Sequence, residues 1–279
     1  MNNIKNIVIF IVLMVSFQVR AEILETQDAS VIRDKIAELK IGDMALFDVK
    51  HVLFHSMDQV MSHEHKSFVK EKFIQIEQDL GKEEAMRLGS IVLNSYRPVV
   101  VDHEIPDIIN QAQQKGIIIF ALTSGYASDY GIIENRADLR IKSIKDMGID
   151  FSKSKSLPSI DLSKGNKLSE GDNDSNPLFQ EGVIFASKIP KGEILGRFLK
   201  ATKLKPKKIV FVDNQIRNVM LVEEKCKELG IEYIGVHFTK LYKKAYDDLE
   251  TEVAEKKFEV LLSEDKWISD DEARLIIKK

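Results

Sequence analysis

The stretch MALFDVKHVLFH, residues 44–55, places an aspartate directly after a short apolar run. Its first four residues, MALF, predict a short buried strand that ends at Asp48. In open α/β sheets, ligands bind beyond the carboxyl ends of the strands. Asp48 is therefore a candidate functional residue, and a cation, Lys50, follows it two residues later.

Strand-like and helical patterns alternate along most of the remaining chain. Helical patterns cover residues 30–39, 105–115, 135–147, 191–204 and 215–229, and strand-like runs cover 117–125, 207–213 and 233–238. Strands that alternate with helices indicate an α/β fold with a doubly wound, parallel, Rossmann-like sheet.

Two segments depart from this alternation. Residues 57–98 are helical and strongly charged, with a break at Gly81, and predict a small helical cap insertion. Residues 151–187 predict a second insertion, a polar surface loop with a hairpin closed by GVIFAS. The tail after residue 239 predicts helices that pack on the domain through three aromatic residues, Tyr242, Tyr246 and Trp267.

Composition limits the classes of function. The chain has 279 residues, 44% hydrophobic and 30% charged, enough for one large domain or a domain with an inserted subdomain. Its formal net charge is −3 and its lysines are scattered. A nucleic-acid partner is therefore not expected.

The N-terminus predicts export. Lys5 precedes an apolar run that is too short for a spanning helix, and Val19-Arg20-Ala21 is a small-residue cleavage pattern. We expect residues 1–21 to be a signal peptide and residues 22–279 to be one periplasmic or secreted domain without a stable membrane anchor. The single cysteine, Cys226, cannot form an internal disulfide and lies on a helical apolar face, typical of a buried small hydrophobe.

Polar residues also end two later strands. Thr123-Ser124-Gly125 follows one apolar run, Asp213-Asn214 follows another, and Lys191-Gly192 opens the helix between them. Each residue alone also fits a helix or turn cap, which is the simpler interpretation for Thr123 or Asp213 taken singly. Their order along the chain carries more information than any one of them.

That order, Asp48, Thr123, Lys191 and then Asp213 with Asn214 and Asn218, resembles the four motifs of the haloacid dehalogenase-like (HAD) superfamily. The resemblance extends from about residue 43 to residue 238, and the two predicted insertions lie where that family inserts its caps. The stretches RADLRIKSIKDMGIDFS and GVIFASKIPKGEILGRFL resemble an exported HAD-like branch of unknown function.

The resemblance implies a role for each matching residue. Asp48 would be the nucleophile that attacks phosphorus in a small phosphorylated ligand, and Thr123 and Lys191 would hold the phosphoryl oxygens. A magnesium ion would be bound by Asp48, the backbone carbonyl of Lys50, Asp213 and Asn214. Asn218 would orient these ligands, or metal-bound water, without binding the ion itself.

Lys50 departs from the family pattern, in which a second aspartate two residues after the nucleophile acts as general acid and base. Such assistance is worth about 10²- to 10⁴-fold in rate. Carboxylates beside Lys50 would raise its pKa, whereas a bound magnesium ion would lower it, and the sequence does not decide between these effects. The Lys50 ammonium would weaken magnesium binding if it took the cation's place, and the alternative is a side chain that points to solvent from the strand end.

Three hypotheses follow from this substitution. The chain is a slow, magnesium-dependent phosphatase-type hydrolase, a degenerate HAD-like protein that binds an anionic ligand without turnover, or a module that binds a protein partner through its insertions.

Overall fold

A computed structural model describes residues 20–62, 64–163, 177–241 and 248–279. Most of the predicted signal peptide lies outside these residues, as do the middle of the second insertion and the aromatic residues Tyr242 and Tyr246. Within the described part of the chain, no helix is long and apolar enough to cross a membrane.

The described residues form ten strands and nine α-helices. The strands are β1 (Ala21–Thr26), β2 (Met44–Phe47), β3 (Phe54–Ser56), β4 (Pro98–Val100), β5 (Ile118–Thr123), β6 (Ile160–Asp161), β7 (Leu178–Gln180), β8 (Val183–Phe185), β9 (Lys208–Asp213) and β10 (Glu232–Phe238). The helices are α1 (Ala29–Ala37), α2 (Lys66–Leu80), α3 (Lys82–Asn94), α4 (Glu104–Gln114), α5 (Arg136–Asp146), α6 (Lys191–Thr202), α7 (Ile216–Glu228), α8 (Thr251–Glu264) and α9 (Asp270–Ile277).

Eight of these strands form one sheet in the order β1-β10-β9-β2-β5-β8-β7-β6. The first six run parallel, and β7 and β6 are antiparallel additions at one edge. The predicted α/β fold with a mostly parallel sheet is therefore confirmed. Strand β2 lies between β9 and β5, so Asp48 emerges near the middle of the sheet.

Helices cover both faces of the sheet because successive side chains of a strand point to opposite sides. On β2, Ala45 and Phe47 pack with the cluster that includes α1, α4 and α5. Met44 and Leu46 pack on the other face, with α6 and α7. Cys226 of α7 belongs to this second cluster and is fully buried, as predicted, and burial raises the pKa of its thiol to about 12.

Two parts of the sheet go beyond the sequence expectations. Strand β1 was not predicted. It begins at Ala21, the last residue of the predicted signal peptide, so cleavage there would leave residues 22–26 to pair with β10. The hairpin β7-β8 lies in the predicted second insertion, and β8 pairs directly with β5 as part of the central sheet.

Helices α2, α3, α8 and α9 lie outside the sheet's two helical layers, and we call them the helical unit. Gly81, with a φ of 86°, separates α2 from α3 as the sequence break predicts. Trp267, from the loop before α9, packs with Phe258 of α8 and with apolar residues of α2 and α3. The C-terminal tail therefore packs on the cap insertion.

A buried ion cluster lies inside the helical unit. Lys257 Nζ is 3.0 Å from Asp58 Oδ1 and 2.6 Å from Asp270 Oδ1, and its side chain is fully buried. Trp267 Nε1 donates to Asp58 Oδ2 at 3.2 Å, and the Gln59 amide donates to Asp270 Oδ2 at 2.8 Å. All four carboxylate oxygens of the two aspartates thus have a donor from the protein.

Candidate active site

The carboxyl ends of β2, β5 and β9 meet at one edge of the sheet. Asp48 follows β2, and its backbone amide donates to the Val212 carbonyl of β9 at 2.8 Å. Thr123 is the last residue of β5, and Asp213 is the last residue of β9. Since neighbouring parallel strands end side by side, the three predicted residues lie at one edge.

Lys191 joins two of these residues. Its ammonium donates to Asp48 Oδ1 and, at 2.6 Å, to Asp213 Oδ2, and its side chain is only 2% exposed. Burial lowers the pKa of Lys191, but the charges of Asp48 and Asp213 outweigh that effect, so its pKa is raised. The lysine is therefore held as a cation between the two carboxylates.

The position of Lys191 depends on the glycine that follows it. A Cβ atom at Gly192 would collide with the backbone carbonyl oxygen of Leu221 in α7. Only glycine lets α6 approach α7 this closely at its first turn. The Lys191-Gly192 pair that the sequence singled out thus has a packing reason as well as a chemical one.

The two aspartates differ in their surroundings. Asp213 is fully buried, and its oxygens accept from the Gln215 amide at 2.8 Å and from Asn218 Nδ2 at 3.2 and 3.1 Å. Asp48 keeps 10% of its side chain exposed. Burial raises the pKa of Asp48 to about 6, although Lys191 acts to lower it. The more accessible carboxylate is thus the predicted nucleophile.

Thr123 and Asn214 are both buried at the same edge. Thr123 Oγ1 accepts from the Gly125 amide at 3.1 Å, which is the turn-capping contact that the sequence also allowed. Its hydroxyl hydrogen can still be donated, because a hydroxyl group is both donor and acceptor. The backbone carbonyl of Asn214 is 3.1 Å from His237 Nε2 on β10.

Lys50 lies apart from the ion cluster. Its Nζ is 6.0 Å from the ring centroid of Tyr96, and the structure gives it no ion pair with Asp48 or Asp213. Burial of its ammonium and the charge of Arg140 lower its pKa, although much of its side-chain surface is exposed. The carboxylates therefore do not raise the Lys50 pKa, because Lys191 occupies the place between them.

Arg140 was not singled out in the sequence. It lies on α5, and its Cζ is 5.1 Å from the ring centroid of Phe54. Burial lowers its pKa, whereas the nearby charges of Tyr96 and Asp48 act to raise it. A signal was available, since Arg140 stands three residues after Ala137 and beside Ile141, both on the buried face of α5.

Ser187 was also missed. It follows β8, where its amide donates to the Gly125 carbonyl at 3.2 Å, and its buried hydroxyl oxygen has no hydrogen-bond partner among the described residues. Its φ is 54°, in the left-handed region, and His51 after β2 has a φ of 70°. Non-glycine residues in that region are uncommon and cluster at functional sites. No sequence signal marks either backbone conformation.

The residues fit a magnesium ion in their donor chemistry. Asp48 and Asp213 direct carboxylate oxygens at one cation, Lys191, and magnesium is commonly bound by one or two carboxylates with waters and substrate phosphate. Among the described residues, no group of three His, Cys, Asp or Glu side chains converges on a metal position. Further ligands would therefore be backbone or amide oxygens.

A groove lies away from the candidate site residues. It has a volume of about 1140 Å³ and is bounded by α6, α7 and the loops that precede β9 and β10, including Lys205 and Gly230. Those loops belong to the opposite, amino edge of the parallel sheet. Its size alone gives it no chemistry, whereas the carboxyl edge holds the convergent charged groups.

The mostly parallel sheet with Asp48, Thr123, Lys191 and Asp213 at its carboxyl edge agrees with the resemblance to HAD-like proteins. More narrowly, the chain belongs to the family described as "Protein of unknown function (DUF2608)", whose model matches residues 25–274. A HAD family enzyme from Bacteroides thetaiotaomicron has a TM-score of 0.33 and 14% identity to this chain, covering 68% of it and 91% of the enzyme.

Relatives occur in two groups of bacteria. A Chlamydia trachomatis serovar D protein, provisionally named an outer membrane protein, is 30% identical over 139 residues, or 50% of this chain and 46% of that protein. A similarly named Chlamydia muridarum protein is 43% identical over 61 residues, 22% of this chain and 23% of the relative. An uncharacterized Rickettsia prowazekii protein is 22% identical over 181 residues, 65% and 63% of the two chains. The matches thus span less than two thirds of each relative's length.

Proposed function

We propose that this chain is a HAD-type phosphoric ester hydrolase that uses Asp48 as its nucleophile. The observation that carries the proposal is the ion cluster in which Lys191 bridges Asp48 and Asp213. Phosphoryl transfer depends mainly on positioning and on charge stabilisation, and this cluster supplies a carboxylate and a cation at one point.

The reaction proceeds in two displacements. In the first, an Asp48 carboxylate oxygen bonds to phosphorus while the bond to the ester oxygen breaks, giving an aspartyl-phosphate and an alkoxide that takes a proton. In the second, water gives up a proton to bulk solvent and attacks phosphorus, and the bond to Asp48 breaks to release inorganic phosphate. Thr123 donates its hydroxyl hydrogen to a phosphoryl oxygen, and Lys191 neutralises part of the phosphoryl charge.

The hydrolase is magnesium-dependent in this proposal. Asp48, Asp213, the backbone carbonyl of Lys50 and Asn214 would hold the ion, and Asn218 keeps Asp213 oriented through its two hydrogen bonds. The ion supplies positive charge for the phosphoryl oxygens when bound. Lys191 already offsets one of the two negative charges and occupies an oxygen of each carboxylate, so we expect magnesium to bind weakly.

Lys50 limits turnover. It stands at the position of the usual acid/base aspartate, and its ammonium can supply a proton to the leaving oxygen. Solvent then restores that proton at neutral pH, and the ammonium cannot accept one from the attacking water. Hydrolysis of the aspartyl-phosphate is therefore the slow step, so turnover should vary little with the leaving group of the ester.

The test uses residues 22–279 with para-nitrophenyl phosphate, with and without magnesium. We expect slow, magnesium-dependent release of nitrophenol that Asp48→Asn abolishes. Asp43→Asn is the matched control, because Asp43 is a buried aspartate at the other end of β2. Lys50→Asp should raise turnover by about 10²- to 10⁴-fold by restoring an acid and base.

Two outcomes would contradict the proposal. If the parent is inert and Lys50→Asp gains activity, the chain is a degenerate HAD-like protein that binds an anionic ligand without turnover. If both are inert, and neither phosphate nor magnesium raises the melting temperature, no anionic ligand is bound and a protein-binding role is the remaining hypothesis.

We further propose that the chain is exported. The N-terminal charge, apolar run and cleavage pattern support this, as does the provisional name of the chlamydial relatives. Fractionation of cells that carry a C-terminally tagged chain should find the tag outside the cytoplasm, on a chain shortened by about 21 residues. A full-length cytoplasmic product would contradict export.

A further inference from the structure

Two cations, Lys50 and Arg140, lie over neighbouring aromatic rings, and Arg140 is close enough to Asp48 for their charges to interact. Lys50 lies in the loop after β2 with its Nζ over Tyr96, and Arg140 projects from α5 with its guanidinium over Phe54. The two aromatic rings are neighbours, with centroids 6.0 Å apart. Side chains from separate elements thus bring two positive charges to one aromatic pair, next to the predicted nucleophile.

Neither cation has an anionic partner. Among the described residues, no carboxylate forms an ion pair with Lys50 or Arg140, and no hydrogen bond engages the Arg140 guanidinium. The two like charges also repel each other. Arg140 is half-buried, and a partly buried charge without a partner costs free energy, so Arg140 needs a compensating interaction.

Stacking on Phe54 compensates Arg140 only in part. A cation–π contact is worth about 0.5–2 kcal/mol and engages the face of the guanidinium, leaving the N–H donors at its edge unused. Those donors form a planar fork that matches a carboxylate or phosphate group. Arg140 is half-buried and Lys50 is exposed, so an anion from solvent can reach both.

We propose that Arg140 and Lys50 form a second anion subsite and that the substrate is a phosphate ester whose organic part carries another anionic group, a phosphate or a carboxylate. The inference rests on the proposed function, since it takes the first phosphoryl group to lie at Asp48. The second anion reaches Arg140, which lies close enough to Asp48 for their charges to interact.

Calorimetric titration of the Asp48→Asn chain, in magnesium, tests this without turnover. Three probes of similar size differ in their second group: ethyl phosphate has none, phosphoglycolate has a carboxylate, and ethylene glycol bisphosphate has a phosphate. We expect one or both doubly anionic probes to bind about tenfold or more tighter than ethyl phosphate. Which of the two binds tighter identifies the second group.

Variants then assign the preference to the subsite. Adding Arg140→Gln should weaken the doubly anionic probes by about 10- to 100-fold and ethyl phosphate by less than about threefold. Lys142→Gln is the matched control, because this substitution also removes one positive charge from α5, but at an exposed position. Lys50→Gln changes an exposed residue and gives an independent test should Arg140→Gln fail to fold. We expect it to reduce the preference for doubly anionic probes by a smaller factor than Arg140→Gln does.

Each contrary result has a distinct meaning. If ethyl phosphate binds and a second anion adds nothing, or if Lys142→Gln weakens binding as much as Arg140→Gln, the subsite does not exist although the proposed function stands. If Arg140→Gln weakens all three probes equally, Arg140 holds the first phosphoryl group instead. If none of the probes binds, the subsite and the phosphoryl site both fail.

Discussion

Two lysines of this protein are each buried between two aspartates. Lys191 bridges Asp48 and Asp213 at the carboxyl edge of the sheet, and Lys257 bridges Asp58 and Asp270 in the helical unit. The difference lies in the aspartates. Both in the helical unit have every carboxylate oxygen engaged by a donor, whereas Asp48 accepts from Lys191 at Oδ1 and its pKa is raised to about 6 by burial.

That difference separates a structural cluster from a reactive one. Asp58 belongs to the cap insertion and Lys257 to the C-terminal tail, so their ion pair ties two distant parts of the chain together. Burial instead raises the pKa of Asp48. The side chain is still partly exposed, so a ligand can reach it. The same two residue types, lysine and aspartate, therefore tie the fold together at one place and form the proposed nucleophile site at the other.

The largest expected effect is on turnover. Asp48→Asn should lower phosphate ester hydrolysis on the order of 10³-fold or more, because it removes the nucleophile. Asp58→Asn should leave the rate per folded molecule within about twofold of the parent, since it lies outside the reaction path. Steady-state assays below the melting temperature check both. Equal losses would mean that neither aspartate is the nucleophile.

The next effect is on stability. Lys257→Met should lower the free energy of unfolding by about 3–5 kcal/mol, because it leaves the buried Asp58 and the partly buried Asp270 without their cation. Lys256→Met is the matched control, since Lys256 pairs only with Glu259 on the surface and should cost less than about 1 kcal/mol. Urea unfolding curves measure both. A loss below 1 kcal/mol for Lys257→Met would contradict a structural role for Lys257.

Asp48 should affect stability in the opposite direction and in a pH-dependent way. Its pKa rises from the ordinary value of 3.8 to about 6 in the folded protein, so the unfolded chain releases this proton first as pH increases. Ionisation of Asp48 therefore lowers stability between about pH 4 and pH 6. Measured in chelator, Asp48→Asn should gain about 1–3 kcal/mol relative to the parent across that window.

The control for this effect is Asp58→Asn, which should show no such gain with rising pH because it breaks a satisfied ion pair. A pH-independent difference between Asp48→Asn and the parent would mean that the Asp48 carboxyl titrates alike in the folded and unfolded chains.

The smallest effect concerns one hydrogen bond. Trp267→Phe removes the indole donor to Asp58 Oδ2 but keeps an aromatic ring against Phe258. We expect a loss of about 1–2 kcal/mol in the free energy of unfolding, by the same urea method. If Trp267→Phe is neutral, Asp58 does not depend on a full set of donors.

The sequence predicted the parallel sheet because the buried strands β2, β5 and β9 are continuous apolar runs, and it predicted the site because polar residues end them. It could not place β1, whose alternating pattern is short and lies beside the signal sequence. Nor could it find the Lys257 cluster, because Asp58 and Lys257 are about 200 positions apart and no motif links them.

The same limit applies to Arg140 and to Lys50. Proximity in sequence suggested that Lys50 would sit between Asp48 and Asp213, yet Lys191 fills that place and Lys50 turns to Tyr96. Side-chain direction after a strand end depends on tertiary neighbours that a single sequence does not reveal.

The central claim is that Asp48 is a nucleophile and that Lys191 holds it in a reactive cluster. The most direct measurement is mass spectrometry of the Lys50-containing parent, quenched in acid during turnover of para-nitrophenyl phosphate. We predict a peptide that contains Asp48 and is heavier by one phosphoryl group, absent from Asp48→Asn. Turnover with no adduct on Asp48, or an adduct that persists in Asp48→Asn, would contradict the account.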